Sequence, residues 1–201
     1  MKKVFFLFTA FLLTLQLHAQ GTSLLNSIKA ANSKVKSIES DVSKIHNKSN
    51  KTTSQNGKFY FVSPKEFAAL FTTGKHMIVN EKNIKIDMGI MHGTFKLKEG
   101  GMMQSLSNIF LYGFQGRIQE LADENDYSLS TETENEYHVV TGSINKKKLI
   151  GIGYKRVVFK FDRKSLLLRQ IVLYDYKGNV DTYTISNVKY NGTIDKKTFQ
   201  F

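Results

Sequence analysis

Residues 76–88 read HMIVNEKNIKIDM. Met77 and Val79 alternate with His76, Ile78 and Asn80, and Ile84, Ile86 and Met88 alternate with Lys85 and Asp87. The polar turn Asn80-Glu81-Lys82-Asn83 stands between the two runs. Successive side chains of a strand point to opposite faces, so this pattern is a β-hairpin with one apolar face. The same period of two extends outward in both directions. Upstream, Phe59 and Phe61 flank Tyr60. Downstream, strand patterns cover 137–141, 154–161, 167–175, 181–189 and 199–201. Turn chemistry joins them at Asp162-Arg163-Lys164-Ser165, Lys177-Gly178-Asn179 and Asn191-Gly192. Consecutive short strands of this kind argue for an antiparallel meander.

Three stretches depart from that period. Ser23 to about Lys36 reads as a helix, with Leu24, Leu25, Ile28, Ala31 and Val35 at helical spacing. The spacing continues through Ile38, Val42 and Ile45, which leaves its end open. Residues 47–56, NKSNKTTSQN, read as an exposed hairpin loop. After Gly100-Gly101, residues 102–113 (MMQSLSNIFLYG) place Met102, Met103, Leu106, Ile109 and Phe110 on one helical face, continued by Tyr112 or Phe114. A second, acidic helix is expected through Gln119-Glu120-Leu121-Ala122. Pro64, the single proline, falls in a loop between strands. The fold class is α+β: a curved antiparallel sheet with a few helices on one face.

The N-terminus reads as an export signal. Lys2 and Lys3 precede the apolar run 4–17, which ends in Leu17-His18-Ala19 before Gln20. Cleavage after Ala19 is expected, leaving a single domain over residues 20–201. The run is shorter than the roughly 20 apolar residues of a bilayer span. With no cysteine in the chain, neither a lipidation site nor a disulfide is available.

Composition argues against several activities. The net charge is +12, but only Arg117, Arg156, Arg163 and Arg169 are arginines, so a nucleic-acid partner is not expected. Lys146-Lys147-Lys148 reads as a solvated turn. No serine sits in a G-x-S-x-G setting. His46, His76, His92 and His138 lack ligand spacing, and Gly151-Ile152-Gly153 is too short for a phosphate loop. The acidic residues between Asp123 and Glu136 read as a solvated connection. No enzyme, cofactor or metal site is expected, and an exported lipid hydrolase has no visible catalytic set.

The order of segments resembles the LolA-like family, the periplasmic carriers of outer-membrane lipoproteins. The likeness runs from Leu24 to Phe201. It begins with the helix entering Val35-Lys36-Ser37-Ile38, then the strand, proline and aromatic stretch 57–67 (GKFYFVSPKEF), then the hairpin 77–84. The C-terminal half adds Phe159-Lys160-Phe161-Asp162, residues 173–179 (LYDYKGN), Ile185-Ser186-Asn187-Val188, Asn191-Gly192-Thr193-Ile194-Asp195 and Phe199-Gln200-Phe201. The resemblance implies an incomplete, strongly bent antiparallel barrel with helices forming a lid over its concave side. It implies a soluble periplasmic chaperone that holds acyl chains, takes them from an inner-membrane release transporter and passes them to an outer-membrane acceptor. One position departs: the family's arginine before the proline, which gates the lid and cavity, is Ser63 here.

Phe59, Phe61, Met77, Val79, Ile84, Ile86 and Met88 are the cavity candidates. Met102, Met103, Leu106, Ile109, Phe110 and Phe114 are the lid candidates. An apolar strand face and an apolar helix stripe also make an ordinary closed core, and the resemblance is what favours a lipid cavity. The expected function is a monomeric, non-enzymatic lipoprotein carrier. The alternative keeps the fold and changes the cargo to another lipid or a glycolipid, carried or sensed.

Overall fold

The chain halves meet in the middle of one sheet. In the computed structural model, which describes residues 21–49, 51–89, 91–144 and 153–201, helix α1 (residues 21–32) precedes six strands. These are β1 (Ser37–Lys48), β2 (Lys51–Val62), β3 (Glu66–Phe71), β4 (His76–Asn80), β5 (Asn83–Asp87) and β6 (His92–Lys96). Helices α2 (Met102–Gln115) and α3 (Ile118–Asn125) follow. Five more strands complete the sheet: β7 (Tyr127–Glu134), β8 (Tyr137–Ile144), β9 (Tyr154–Asp162), β10 (Leu168–Asp175) and β11 (Val180–Tyr190). A 3-10 turn, Lys196–Phe199, ends the described elements.

The order is β6-β5-β4-β3-β2-β1-β11-β10-β9-β8-β7, antiparallel throughout. Two meanders are joined where β1 pairs with β11, from Ile38 opposite Tyr190 to Asn47 opposite Val180. β6 and β7 stay as free edges, so the sheet does not close into a barrel. It wraps α2 nonetheless. Phe110 packs on Phe67 of β3 and on Tyr183 of β11, while a Cβ at Gly113 would stand 2.9 Å from the ring of Phe159 on β9. One helix reaches strands on both sides of the junction only because the sheet is curved around it. This is the expected incomplete barrel with helices over its concave face.

The hairpin 76–88 forms as expected, with Asn80 opposite Asn83 at its turn. Four expectations change. The first helix stops at residue 32, and Ile38, Val42 and Ile45 belong to a strand. Their spacing suits a helix, but in a strand Ile38 and Val42 share the inner face while Ile45 turns outward, 38% exposed. β-branched residues fit that pleat readily. Residues 47–56 are not a loop: the strands continue to Lys48 and Lys51, paired to each other, as an exposed ribbon. The acidic connection contains β7, where Glu132 and Glu134 stand on an outer edge strand opposite Val139 and Tyr137. The final aromatic residues are not a strand: Phe199 ends the 3-10 turn and packs against Ala68 and Ile78 on the convex face. The signal segment and the lysine run 146–148 lie outside the described residues.

Candidate functional site: the concave face and its helical cover

Alternation along β2 sends Phe59 and Phe61 to the concave face, both with no exposed surface. β3 adds Phe67, and α2 lowers Phe110 and Phe114 onto them. Phe67 stacks on Phe110 with ring centroids 5.0 Å apart, and Phe61 stacks on Phe114 at 5.4 Å. Phe59 meets Phe67, Phe110 and Phe114 edge-on at 5.2, 6.1 and 5.9 Å. Offset and edge-to-face pairs each add about 0.5–1.5 kcal/mol beyond their buried area.

The strand candidates and the lid candidates therefore meet. Met77, Val79, Ile84 and Ile86 are buried in the same cluster, as are Ile109, Phe110 and Phe114 of α2. Met103 and Leu106 pack against it while partly exposed, and Met88 does so from the β5–β6 connection, one residue past its strand. Met102 stands apart, 48% exposed at the first turn of α2. The cluster also holds residues the hairpin pattern does not single out: Phe67, Phe159, Phe161 and Tyr183. The alternation Phe159, Phe161 was the signal for two of them, but which face they share depends on the β1–β11 junction.

Polar side chains tie the helices down. Gln115 Nε2 donates to the carbonyl oxygens of Pro64 and Leu111, each at 2.9 Å. Asn32 Nδ2 donates to the carbonyl of Leu166 at 2.8 Å, holding the end of α1 to the β9–β10 turn. Between α2 and α3, Asn108 and the Tyr112 hydroxyl both donate to Glu124, at 2.8 and 2.7 Å. Arg117 lies over the Tyr112 ring, 4.3 Å from its centroid. Burial, then the Glu124 carboxylate, push the Tyr112 phenol up to about 12. Gly113 and Gly116 let α2 approach: a Cβ at Gly116 would meet the carbonyl oxygen of Ile28 at 2.8 Å, and its φ of 66° suits glycine.

Toward the β1–β2 tip the concave face turns polar. Lys44 Nζ lies 3.2 Å from Asp181 Oδ1, and His46 Nδ1 lies 2.8 Å from the same oxygen. Between α1 and the β7–β8 edge, a cleft of about 520 Å³ is lined by Leu24, Leu25, Gln119, Leu129, Thr131 and His138. Among the described residues no group of three His, Asp or Glu side chains could hold a metal ion. No helix among them is long and apolar enough to cross a membrane.

Comparison with known proteins agrees with this architecture. A comparison with curated proteins finds no match. Among solved structures, an uncharacterized conserved protein from Thermus thermophilus superposes with TM-score 0.51 at 10% identity, covering 90% of this chain and 94% of that one. A LolA superfamily protein from Nitrosomonas europaea gives TM-score 0.41 at 10% identity over 88% and 97% of the two chains. An outer membrane lipoprotein-sorting protein domain from Vibrio parahaemolyticus, described as putative, gives 0.48 at 8% over 89% and 95%. At such identities the Thermus likeness speaks for a shared fold alone. The profile of the family described as "Outer membrane lipoprotein carrier protein LolA" matches residues 33–201, which takes in every strand, α2 and α3, and so the chain belongs to the LolA family.

Proposed function

We propose that this protein is a non-enzymatic periplasmic carrier that shelters the acyl chains of lipoproteins between the concave face of its sheet and α2. The observation that supports the reading is the meeting of the strand candidates with the buried helix candidates of α2, in a chain of this family. Burying a methylene is worth about 0.8 kcal/mol, so a sixteen-carbon chain gains on the order of 10 kcal/mol before ordering costs. An acyl chain needs no hydrogen-bonding partner, only an apolar surface. In the closed state aromatic rings fill this interior, so loading moves α2 outward and the chain takes the place of Phe110 and Phe114 against Phe59, Phe61 and Phe67. Met77, Met88 and Met103 adapt to chains of different shape, as flexible thioethers do. The signal segment 1–19 delivers the chain to the periplasm and is removed after Ala19. The monomer then crosses between an inner-membrane release transporter and an outer-membrane acceptor.

Native mass spectrometry of the protein purified from the periplasm tests this. Co-purified acylated species, or uptake of a fluorescent fatty acid by the emptied protein, are expected. A protein that is empty and takes up no such probe would overturn the proposal.

A second reading, a carrier or sensor of another lipid, is favoured by one position. Ser63 replaces the family's gating arginine, and here the lid's bond to this turn comes from Gln115 to the Pro64 carbonyl. Lipidomics of the bound material separates the two cargos.

A further inference from the structure

The inner face of β1 grades from apolar to charged. Ile38, Ser40 and Val42 are buried there at 4, 0 and 2% exposure, and Lys44 follows at 9%. His46, the next residue on that face, has a side chain 36% exposed. Across the ladder, Lys44 stands opposite Tyr183 and His46 opposite Asp181. The Lys44 ammonium lies 5.1 Å from the Tyr183 ring centroid, and that ring touches Phe110 and Phe59 in the aromatic cluster. Tyr154 is close enough for its phenol to sense Tyr183, Asp181 and Lys44, though burial acts on it most. A charged cluster thus sits directly against the apolar interior, and its outermost member opens to solvent.

Packing alone gives little reason for this. The sequence of inner positions would be completed by another aliphatic side chain, and buried ion pairs are often replaceable by apolar residues without loss of stability. Polar groups facing an apolar interior cost free energy unless they are fully partnered. The charges of this cluster are partnered with one another. Asp181 Oδ1 takes both Lys44 and His46, and among the described residues Asp181 is the one anion paired with the three-donor ammonium of Lys44. Lys44 and Asp181 balance each other's charge. An anionic head would meet the Asp181 carboxylate, and a cationic head would meet Lys44. A neutral head with an acceptor for Lys44 and a donor for Asp181 meets neither penalty.

Resting on the carrier reading above, we infer that Lys44, Asp181 and His46 form a head-group site for an acylated ligand whose head is uncharged and bears an ester or amide carbonyl with a hydroxyl or N–H beside it. The carbonyl accepts from Lys44 Nζ, the donor is received by Asp181, and the acyl chain runs past Val42 toward Phe59 and Phe110. Acylated glycerol esters, free or attached to a protein, share this chemistry.

Displacement of a pyrene-alkane probe from the full-length mature protein tests the site, using 1-palmitoylglycerol and palmitate as competitors. The wild type is expected to prefer 1-palmitoylglycerol by about tenfold, the scale of one hydrogen bond to a charged group. Lys44→Met combined with Asp181→Leu removes both charges together, leaving none unpaired inside the sheet. It is expected to abolish that preference, read as equal displacement of the bound probe by the two competitors. Equal or tighter binding of palmitate by the wild type, which requires no variant, overturns the site, as does a preference that survives in the double variant. A wild type that takes no pyrene-alkane overturns the carrier reading together with the site. A diacylated lipopeptide competes more strongly than 1-palmitoylglycerol if the head comes from a lipoprotein, and less strongly if it comes from a free glycerolipid.

Discussion

The side-chain amide of Gln115 donates to the backbone carbonyl oxygen of Pro64 across 2.9 Å, fastening the last turn of α2 to the β2–β3 connection. The acceptor belongs to a turn whose own anchor is the amide N–H of Ser63 donating to Lys36 at 2.9 Å. The cover is thus held at the Ser63–Pro64 turn. Replacing Gln115 by Leu removes the bond and leaves the Pro64 carbonyl without this partner, at about 1 kcal/mol. A modest fall in denaturant midpoint is expected, with faster uptake of a fluorescent fatty acid in stopped flow. Uptake at the wild-type rate would mean that this bond does not hold the cover shut.

Phe110 ties α2 to rings on three strands, β2, β3 and β11. It touches Phe59, Phe67 and Tyr183 and is 1% exposed. Phe110→Ala leaves a cavity and is expected to cost about 3–5 kcal/mol in urea unfolding. Met102→Ala, at a 48% exposed position of the same helix, is expected to change stability by less than about 0.5 kcal/mol.

Two glycines separate a clash with backbone from a clash with a side chain. A Cβ at Gly57 would run into the carbonyl oxygen of Leu70, which belongs to the paired strand and cannot swing away. A Cβ at Gly113 would stand 2.9 Å from the ring of Phe159, which can shift by a few tenths of an ångström. Both alanine variants overpack the core, at about 1–3 kcal/mol or more. Gly57→Ala is expected to be the more damaging, read as a lower melting temperature and lower soluble yield. The reverse order would show that the β2–β3 pair yields more easily than the α2–β9 contact.

The α2–α3 seam carries a pH signature. Burial and the Glu124 carboxylate raise the Tyr112 phenol from its ordinary value of 10.0 to about 12. A group whose folded value is raised contributes stability that is complete below the unfolded value and is lost as pH rises through the folded one. The stability difference between wild type and Tyr112→Phe should therefore be constant below about pH 10 and shrink between pH 10 and 12. Comparing the two proteins cancels the other raised tyrosines, Tyr127, Tyr154, Tyr183 and Tyr190. A difference that persists unchanged to pH 12 would mean that folding does not raise the Tyr112 phenol above its ordinary value.

The hairpin 76–88, the C-terminal meander and the apolar stripe of α2 were legible in the sequence because each is local. A period of two or of 3.6 names the face that must be buried, whatever it is buried against. Ile38, Val42 and Ile45 misled for the same local reason: their spacing satisfies a helix, and only the ladder partners Tyr190, Ile185 and Thr182 decide for a strand. β7 was hidden because an edge strand facing water keeps few apolar residues, so its period carries no hydrophobic signal. Sequence by itself determined which residues would be apolar partners and that the sheet would be antiparallel. The tertiary structure decided that β1 pairs with β11, and with that junction it brought Tyr183 to the rings of Phe59 and Phe110, Phe159 against Gly113 of α2, and Lys44 and His46 to Asp181. His46 and Asp181 are 135 positions apart in the chain, and closing so long a loop costs entropy that only the completed sheet and its shared core offset.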